Sequence, residues 1–231
     1  MKRNIFPKVL NDIRLYYIEY FDYFMNQKNS IALNSCFMDL DDPFKLFEIW
    51  MEEAKKKEIN DPNAMSLATS NKDNQPNVRM VLLKGINQKG FIFYTNLNSP
   101  KSLDIKDNPK AAMCFHWKSI QRQVRILGNI SKVDDKEADR YFNSRPYKSR
   151  IGAWASDQSK TMEKRADLLT KIDELKKKYK DEKNVPRPPF WSGWVLNPHS
   201  LEFWLGEENR IHERLRYVKI KKDWKKEILY P

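Results

Sequence analysis

The sequence predicts a mainly β protein with flanking helices, an α+β fold built around an antiparallel barrel or sandwich. Short β-prone runs separated by polar turns are typical of such folds. In the first half of the chain these runs are residues 64–70, 79–84, 91–95, 110–117 and 121–133. Helical periodicity follows between residues 134 and 180, and β-prone runs return after residue 194. We therefore expect the strands before and after the helices to close one β-core.

The clearest predicted helix begins at Asp42-Pro43, where an N-cap residue precedes a proline in the first turn. Apolar side chains then recur at helical spacing, and lysines at residues 55–57 favour the C-terminal end of the helix dipole. The apolar positions are Phe44, Phe47, Trp50, Met51 and Ala54. We predict a boundary here, with residues 1–41 as an N-terminal extension and residues 42–231 as a single domain.

Three further helices are predicted before the last strands. The helix over residues 134–144 must stop before Pro146, because the residue preceding a proline disfavours helical conformation. A second helix is expected over residues 146–155, and a third over residues 160–180, where apolar residues form one stripe. That stripe is Leu168, Leu169, Ile172, Leu175 and Tyr179. The final predicted strands are residues 194–196, 201–205, 211–220 and 224–229.

The stretch of residues 79–101 contains a candidate phosphate site. Two β-prone runs are separated by Gly85 and Gly90, which predicts a hairpin, and Ser99-Pro100 then has the composition of a helix start. Cationic side chains lie at both ends of the unit, namely Arg79, Lys84 and Lys101. Unpaired N–H groups at a helix N-terminus, with cations nearby, suit a phosphate. The alternative is a hairpin with solvated lysine and arginine side chains.

Composition limits the class of protein. The chain of 231 residues is 40% hydrophobic and 13% aromatic, which supports a packed core, and its net charge of +12 indicates an anionic partner. Its two cysteines, Cys36 and Cys114, are far apart in sequence and fit a reducing compartment. The N-terminus is not a good signal peptide, and no apolar run approaches the roughly 20 residues of a membrane helix. We expect a cytoplasmic protein without a membrane partner.

Several enzyme classes lack their motifs. The six glycines form neither G-x-G-x-x-G nor a Walker loop, and G-x-S-x-G is absent. Cys114 and His116 are close in sequence, but two candidate ligands on one strand do not make a zinc site. Dinucleotide-binding, P-loop, hydrolase and metalloenzyme functions are therefore disfavoured, and no metal is predicted.

The segment NRIHER, residues 209–214, is the sharpest local pattern. If it is a strand, alternation places Arg210, His212 and Arg214 on one face. Three such groups in a row repel each other unless an anion or a π-system faces them. The alternative is a solvated basic strand face.

The segment YFNSRPYKS contains a second grouping, Tyr141, Arg145 and Ser149, at helix-like spacing. Because Pro146 interrupts any continuous helix, these side chains converge only if two short segments bring them together. A phenol, a guanidinium and a hydroxyl suit a phosphate. The alternative is an ordinary helix end with capping residues.

These segments together resemble one protein family. RMVLLK, FYTN, RQVRI, YFNSRP, IGAWAS-QS, FWSGW, EFW and NRIHER, in this order, are similar to pyridoxine (pyridoxamine) 5′-phosphate oxidases over roughly residues 42–231. The resemblance implies a split β-barrel of the FMN-binding type and a homodimer with FMN at the subunit interface. It also implies oxidation of pyridoxine or pyridoxamine 5′-phosphate to pyridoxal 5′-phosphate, with O₂ as acceptor and H₂O₂ as product.

Residue by residue, the resemblance implies two sets of contacts. The FMN set is Arg79, Met80, Val81, Leu82, Leu83, Lys84, Tyr94, Thr95, Lys101, Gln123, Gln158, Ser159, Trp204 and Arg214. The substrate set is Lys84, Tyr141, Arg145, Ser149, Arg210 and His212. Arg210 and His212 would lie over the substrate ring opposite the flavin, as the catalytic pair. Arg79 would meet the FMN phosphate and Lys84 the substrate phosphate, and strand alternation agrees that these two point to opposite faces.

The chain departs from the family pattern in three places. Pro100 stands where an arginine beside Lys101 is usual, which puts one phosphate contact in doubt. Ile228 stands where the C-terminal ending has arginine. Arg14 and Tyr17, in an aromatic-rich segment, are a weak match to the family's substrate lid.

Two other functions compete with the oxidase. The net charge of +12 and the aromatic content also suit a nucleic-acid-binding β-barrel. That function is disfavoured because the lysines at residues 176–178 are expected on an amphipathic helix rather than among the aromatic residues. We therefore expect no nucleic-acid partner. The second competitor is a relative that binds FMN or pyridoxal phosphate without turnover.

Overall fold

The computed structural model describes residues 31–87 and 89–231. The nine strands of this part of the chain are β1 (Ala64–Ser70), β2 (Pro76–Leu82), β3 (Gly85–Asn87), β4 (Gly90–Asn96), β5 (Lys110–Trp117), β6 (Arg122–Lys132), β7 (Trp191–Leu205), β8 (Glu213–Ile220) and β9 (Asp223–Ile228). Its α-helices are α1 (Pro43–Lys57), α2 (Pro100–Asp107), α3 (Asp135–Ser144), α4 (Tyr147–Ala155) and α5 (Arg165–Lys178). Arg14, Tyr17 and the aromatic-rich segment around them lie outside the described residues.

All strands belong to one antiparallel sheet, in the order β2-β1-β5-β6-β7-β4-β3, with β8 added to β7 and β9 added to β8. β2 and β3 occupy the two ends of this order, although only Leu83 and Lys84 separate them in the chain. The sheet must therefore curl until its two edges meet. Lys84 N–H donates to Ile92 O on β4 at 2.8 Å, so the link between β2 and β3 closes a barrel that is split at this point.

The helix α1 fills one end of the barrel. Asp42 caps it as predicted, because its side chain accepts a hydrogen bond from Phe44 N–H at 2.9 Å. The buried face of α1 comprises Pro43, Leu46, Phe47, Trp50, Met51 and Ala54. Phe47 packs edge-on against Phe91 and Phe115, with ring centroids 4.9 and 5.0 Å away. Each fully buried aromatic or aliphatic side chain of this kind contributes about 1.5–3 kcal/mol to stability, so α1 is part of the core.

The predicted hairpin between residues 79–84 and 91–95 is wrong. β2 pairs with β1 over seven residue pairs, whereas the hairpin partner of β4 is the short strand β3. The reason is that β2 ends at Leu82, and the chain then crosses to the far edge of the sheet. Strand alternation therefore does not extend from Arg79 to Lys84.

Residues 194–205 were expected to form two strands, but β7 is continuous from Trp191 to Leu205. Pro198 lies inside it, opposite Gly128, at an irregularity of the β6–β7 register. A proline is tolerated where a bulge removes the need for a ladder N–H group. Gly128 allows the close approach, because any side chain there would meet the backbone of Asn197.

The helices α3, α4 and α5 lie outside the barrel beside the first half of β7. α3 and α4 flank Pro146 as predicted, whereas α5 starts at Arg165 rather than at residue 160. Ser159, just before the predicted start, has φ 70°, a left-handed conformation, and residues 160–164 after it are not helical. A small core of Phe142, Ile151, Val185 and Trp191 joins these helices to the sheet. Within the described residues, no helix has both the length and the apolar content needed to cross a membrane.

The β6–β7 bulge leads to a test of stability. At Gly128 an added Cβ would stand 2.2 Å from the carbonyl oxygen of Asn197. Gly128→Ala should therefore lower the free energy of unfolding by about 1–3 kcal/mol, as measured by urea denaturation. Gly152→Ala in α4 is the matched control, since no heavy atom lies within 4 Å of its Cβ position, and it should stabilise the protein by roughly 0.5–1 kcal/mol. Equal stability of Gly128→Ala and the wild type would contradict the close approach.

Candidate active site

A cleft of about 680 Å³ opens where the edge of the barrel meets α3 and α4. It gathers side chains from β2, β4, α2, α3, α4 and the turn after α4. The predicted site residues that line it are Met80, Val81, Leu82, Lys84, Tyr94, Thr95, Lys101, Tyr141, Arg145, Ser149 and Gln158. Both the predicted FMN contacts and the predicted substrate contacts therefore meet in one cleft.

One end of the cleft holds Lys101, a residue that is only 8% exposed. Its Nζ donates to Thr95 Oγ1 at 3.2 Å, Ser99 Oγ at 3.1 Å and Gln158 Oε1 at 2.9 Å. All three acceptors are neutral, so these contacts do not neutralise its charge. Burial, together with the nearby Arg79 guanidinium, lowers the pKa of Lys101 to about 8. This end of the cleft is suited to receive an anion.

The helix start beside Lys101 is where the sequence predicted it, but its cap differs. Pro100 is the first residue of α2, and Ser99 takes the N-cap position without a side-chain capping bond. The Ser99 hydroxyl instead donates to Asn96 O at 2.7 Å. The N–H groups of Ser102 and Leu103 donate to the Ser99 carbonyl, and Pro100 has none, so Lys101 is the residue of the first turn whose N–H can serve an anion.

Arg79 is not among the lining residues of the cleft, but its partly exposed guanidinium lies near the Lys101 end. Its Nη1 donates to Thr69 Oγ1 at 2.6 Å and to Leu67 O at 3.2 Å, and its Nη2 lies 3.7 Å from Asp104 Oδ2. Burial lowers the pKa of Arg79, an effect opposed by Asp104. Leu83, another predicted contact, is buried in the hydrophobic core.

The other end of the cleft is formed by Arg145, Tyr141 and Ser149. Arg145 stacks over the Trp191 ring at 4.8 Å, and its Nη1 is buried without a hydrogen-bond partner among the described residues. Burial lowers the pKa of Arg145. Tyr141 stacks on Tyr94 with ring centroids 3.9 Å apart, and burial raises the pKa of Tyr94 to about 12. As expected, two short helices separated by Pro146 bring these side chains to one cleft.

Three other predicted FMN contacts form a row elsewhere on the sheet. Gln123, Trp204 and Arg214 are direct neighbours across β6, β7 and β8. Arg214 is held by Glu202, whose Oε1 lies 2.7 Å from its Nη2, and by Tyr230 O at 2.9 Å. Trp204 lines a second cavity of about 540 Å³, not the main cleft.

The expectation that NRIHER is a strand with one basic face is wrong. β8 begins only at Glu213, and the preceding residues form a tight turn in which Asn209 and Arg210 have φ values of 55° and 62°. Alternation therefore does not apply to Arg210, which is exposed. His212 packs against Trp204 at 4.7 Å, and its Nδ1 accepts the backbone N–H of Glu207 at 3.1 Å. In a neutral His212 the ring proton is therefore on Nε2.

The two groups of predicted site residues are far apart within one chain. Trp191 lines the main cleft, and Trp204 lies at the other end of the same strand. At about 3.3 Å per residue, roughly 40 Å of strand separates them. Ser159 follows Gln158 in the turn after α4 and is exposed. A single chain thus assembles the phosphate-binding ends of the predicted site but not the row containing Trp204.

Some residues of the cleft were not predicted from the sequence. They are Asn96, Pro146, Gly152, Ala153, Ser156 and Trp191. All of them lie in the motifs FYTN, SRP, IGAWAS and FWSGW, so their position in a motif could have identified them as cleft residues. Thr69 and Asp104, which contact Arg79, lie in none of the quoted motifs. No group of three or more potential metal ligands occurs within the part of the chain that the structure describes.

Two family models match this chain. The model described as "Pyridoxamine 5′-phosphate oxidase" matches residues 51–179. The model described as "Pyridoxine 5′-phosphate oxidase C-terminal dimerisation region" matches residues 191–231. The second match includes β7, β8, β9 and the NRIHER turn.

Curated relatives bear the same name. The pyridoxine/pyridoxamine 5′-phosphate oxidase of Pelagibacter ubique is 60% identical over 208 residues, covering 90% of this chain and 100% of the relative. That of Bartonella henselae is 50% identical over 206 residues, covering 88% of this chain and 99% of the relative.

Solved structures support the fold and the family. PhzG from Burkholderia lata 383, in complex with tetrahydrophenazine-1-carboxylic acid, aligns with a TM-score of 0.80 and 27% identity over 89% of this chain and all of that one. A pyridoxamine 5′-phosphate oxidase-related, FMN-binding protein from Nostoc punctiforme aligns with a TM-score of 0.67 at 16% identity, a likeness of fold alone. The predicted antiparallel split-barrel α+β fold is confirmed, and the chain belongs to the pyridoxamine 5′-phosphate oxidase family.

Proposed function

We propose that the protein is an FMN-dependent oxidase that converts pyridoxamine or pyridoxine 5′-phosphate to pyridoxal 5′-phosphate, with O₂ as acceptor and H₂O₂ as product. The observation that carries this proposal is a single cleft with a poorly neutralised cation at each end, the buried Lys101 and the half-buried Arg145. Two phosphate groups, one on the cofactor and one on the substrate, meet that requirement. The names of the relatives at 50% and 60% identity support the same activity.

The Lys101 end fits the phosphate of FMN. Lys101, Thr95 and Gln158 place an ammonium, a hydroxyl and an amide around one point. The N-terminus of α2 adds the backbone N–H of Lys101, although Pro100 removes one donor and the charge that arginine would supply there. Met80, Val81 and Leu82, along the edge strand, then line the space for the flavin ring.

The Arg145 end fits the phosphate of the substrate. Lys84, Tyr141, Arg145 and Ser149 offer two cations and two hydroxyls to the same part of the cleft. Anchoring this remote group orients the ring and brings the carbon that bears the alcohol or amine to the flavin. When bound, FMN would supply the redox chemistry, as the acceptor of a hydride equivalent from the substrate and the donor of electrons to O₂.

We further propose that the active unit is a homodimer. Gln123, Trp204, Arg210, His212 and Arg214 lie away from the main cleft of their own chain, so a second copy must bring them to it. The family model that covers four of these five is described as a dimerisation region. On the edge strand β2, Val78 and Met80 are 70% and 64% exposed, an apolar surface typical of an interface.

In this assembly Arg210 and His212 complete the substrate site. The Arg210 guanidinium is planar and suited to stack on the substrate ring. Because Nδ1 of His212 already accepts the Glu207 N–H, its Nε2–H is the donor that faces the substrate when the ring is neutral. His212 thus acts first as a hydrogen-bond donor to the substrate.

Location and domain division remain proposals. Both cysteines are free, as in proteins of a reducing compartment, which supports a cytoplasmic enzyme. The division into an extension of residues 1–41 and an oxidase domain of residues 42–231 stays a prediction. Leu33 and Phe37, from the end of the proposed extension, already pack into the hydrophobic core.

An anaerobic reduction experiment tests the oxidase function. The purified protein with FMN should be yellow, and adding pyridoxamine 5′-phosphate without oxygen should bleach the visible flavin absorbance. Arg210→Ala should retain FMN but bleach much more slowly at the same substrate concentration, because its contact is with the substrate ring. A protein that binds FMN but is never bleached by either substrate would be a binding relative without turnover. Retention of RNA instead of FMN would favour the nucleic-acid-binding barrel.

The lowered pKa of Lys101 predicts a pH dependence of FMN affinity. With a pKa of about 8 in the free site, Lys101 loses its proton as the pH rises above that value. The phosphate dianion prefers the charged form, so FMN affinity should fall, approaching about tenfold per pH unit well above the pKa. Fluorescence titration of the flavin-free protein measures this.

Two controls isolate Lys101 in that titration. Lys101→Arg should remove the fall in affinity above pH 8, since arginine stays protonated. Riboflavin, which lacks the phosphate, should show no such dependence in the wild type. If Lys101→Arg has the same pH profile as the wild type, another group is responsible.

The apolar edge of β2 predicts the effect of a charge at the dimer interface. Val78→Asp should shift the protein towards monomer, because a desolvated carboxylate at an interface has no partner. Light scattering over a range of concentrations measures this. Leu169→Asp, at a 51% exposed apolar position on α5, is the control and should stay dimeric. A fully dimeric Val78→Asp would place the interface elsewhere, and a wild-type monomer with full FMN occupancy would overturn the homodimer.

A further inference from the structure

We infer that Asp104 is a positioning residue for FMN phosphate binding: through Thr69 it holds the Arg79 guanidinium beside Lys101, so that both cations serve one phosphate. The inference rests on the proposed function. It assigns a role to two buried residues that lie outside the motifs of the cleft and do not line it.

The three side chains form a directed hydrogen-bond chain. Arg79 Nη1 donates to Thr69 Oγ1 at 2.6 Å, and Thr69 Oγ1 donates to Asp104 Oδ2 at 2.7 Å. The order is fixed by chemistry, because arginine only donates and the Thr69 hydroxyl has a single proton to give. The same carboxylate oxygen lies 3.7 Å from Arg79 Nη2 and accepts from Asn77 Nδ2 at 3.3 Å.

Burial makes these contacts consequential. Asp104 and Thr69 are 6% and 3% exposed, whereas the Arg79 side chain keeps 21% of its surface. A buried carboxylate is costly unless it is paired and hydrogen-bonded. Here the hydrogen bonds come from Thr69 on β1 and Asn77 on β2, and the ion pair comes from Arg79 on β2. Asp104 therefore fixes where the Arg79 guanidinium lies.

The position of Asp104 in the chain links Arg79 to Lys101. Both Lys101 and Asp104 lie on α2, almost one turn apart, so the carboxylate that holds Arg79 also fixes the helix that carries Lys101. Two neighbouring cations repel each other, and Arg79 already lowers the pKa of Lys101. A nearby carboxylate reduces that repulsion in the absence of ligand. The arrangement holds two positive charges close together until a phosphate arrives.

Two other roles for Asp104 give different results. If it only attaches α2 to the sheet, its loss should weaken binding of the whole flavin, with or without phosphate. If it acts on the ligand directly, its negative charge repels the phosphate, and its removal should tighten FMN binding. A positioning role predicts weaker binding of FMN and unchanged binding of riboflavin.

The experiment measures FMN and riboflavin affinities of the full-length, flavin-free protein by fluorescence quenching. Asp104→Asn should weaken FMN binding by about tenfold, the size expected when a charge-assisted hydrogen bond loses its orientation. Its riboflavin affinity should stay within about twofold of the wild type. Asp107→Asn is the matched control, since it removes the same charge from an exposed position on the same helix and should leave both affinities unchanged.

A double-mutant cycle tests whether Asp104 acts through Arg79. In an Arg79→Ala background, Asp104→Asn should change FMN affinity by less than about twofold, because the group it positions is gone. If Asp104→Asn does not fold, Thr69→Val and Thr69→Ser replace it in the cycle. Valine removes the hydroxyl that links Arg79 to Asp104, whereas serine keeps it. Only the Thr69→Val variant should therefore lose the preference for FMN over riboflavin.

The outcomes separate this inference from the proposed function. Failure of the wild type to bind FMN would overturn both. Loss of FMN affinity in Arg79→Ala with no loss in Asp104→Asn would overturn the positioning role alone. Three other results would also overturn the positioning role. They are tighter FMN binding by Asp104→Asn, a loss of riboflavin affinity as large as its loss of FMN affinity, and an undiminished effect of Asp104→Asn on FMN affinity in the Arg79→Ala background.

Discussion

The architecture depends on a two-residue link, Leu83 and Lys84, between strands that occupy opposite ends of the sheet. A connection this short forces the sheet to curl until its edges meet, and the apolar interior is then closed by α1. The same link places the edge strand β2 next to β4 without a ladder between them. The main cleft opens beside this split, so the constraint that closes the barrel also creates the site.

Electrostatics explains what the cleft is suited to bind. Lys101 is buried and Arg145 is half-buried, and their cost of desolvation is not offset by carboxylates at hydrogen-bond distance. In contrast, Arg122, which lies outside the predicted site, is paired with Glu53. A cation without a carboxylate partner leaves its charge available to an incoming anion. Phosphate, with several charged acceptor oxygens, suits such a cation.

The long strand β7 explains why one chain is not sufficient. Its first half pairs with β4 at the main cleft, and its second half pairs with β8, which carries Arg214. The continuity of β7 depends on Gly128, which lets Pro198 lie within the sheet at a bulge. The length of this strand keeps the residues at its two ends apart within one chain, and the proposed dimer would bring them into one site.

The sequence by itself determined the fold class, most element boundaries and the family. Periodicity and caps located α1, α3 and α4 closely, because these signals come from neighbouring residues in the chain. The motifs identified most of the cleft, including Tyr141, Arg145 and Ser149 on either side of Pro146. Where a pattern of neighbouring residues decides the local structure, the sequence was sufficient to predict that structure.

The tertiary structure alone decided which strands pair and which side chains meet. β2 pairs with β1 rather than β4, Pro198 does not interrupt β7, and the NRIHER turn adopts left-handed conformations. The hydrogen bond from Arg79 to Thr69 joins residues 10 positions apart, and the one from Thr69 to Asp104 joins residues 35 positions apart, across three different elements. Such contacts depend on how a closed sheet brings distant strands together, and no local propensity in the chain encodes that closure.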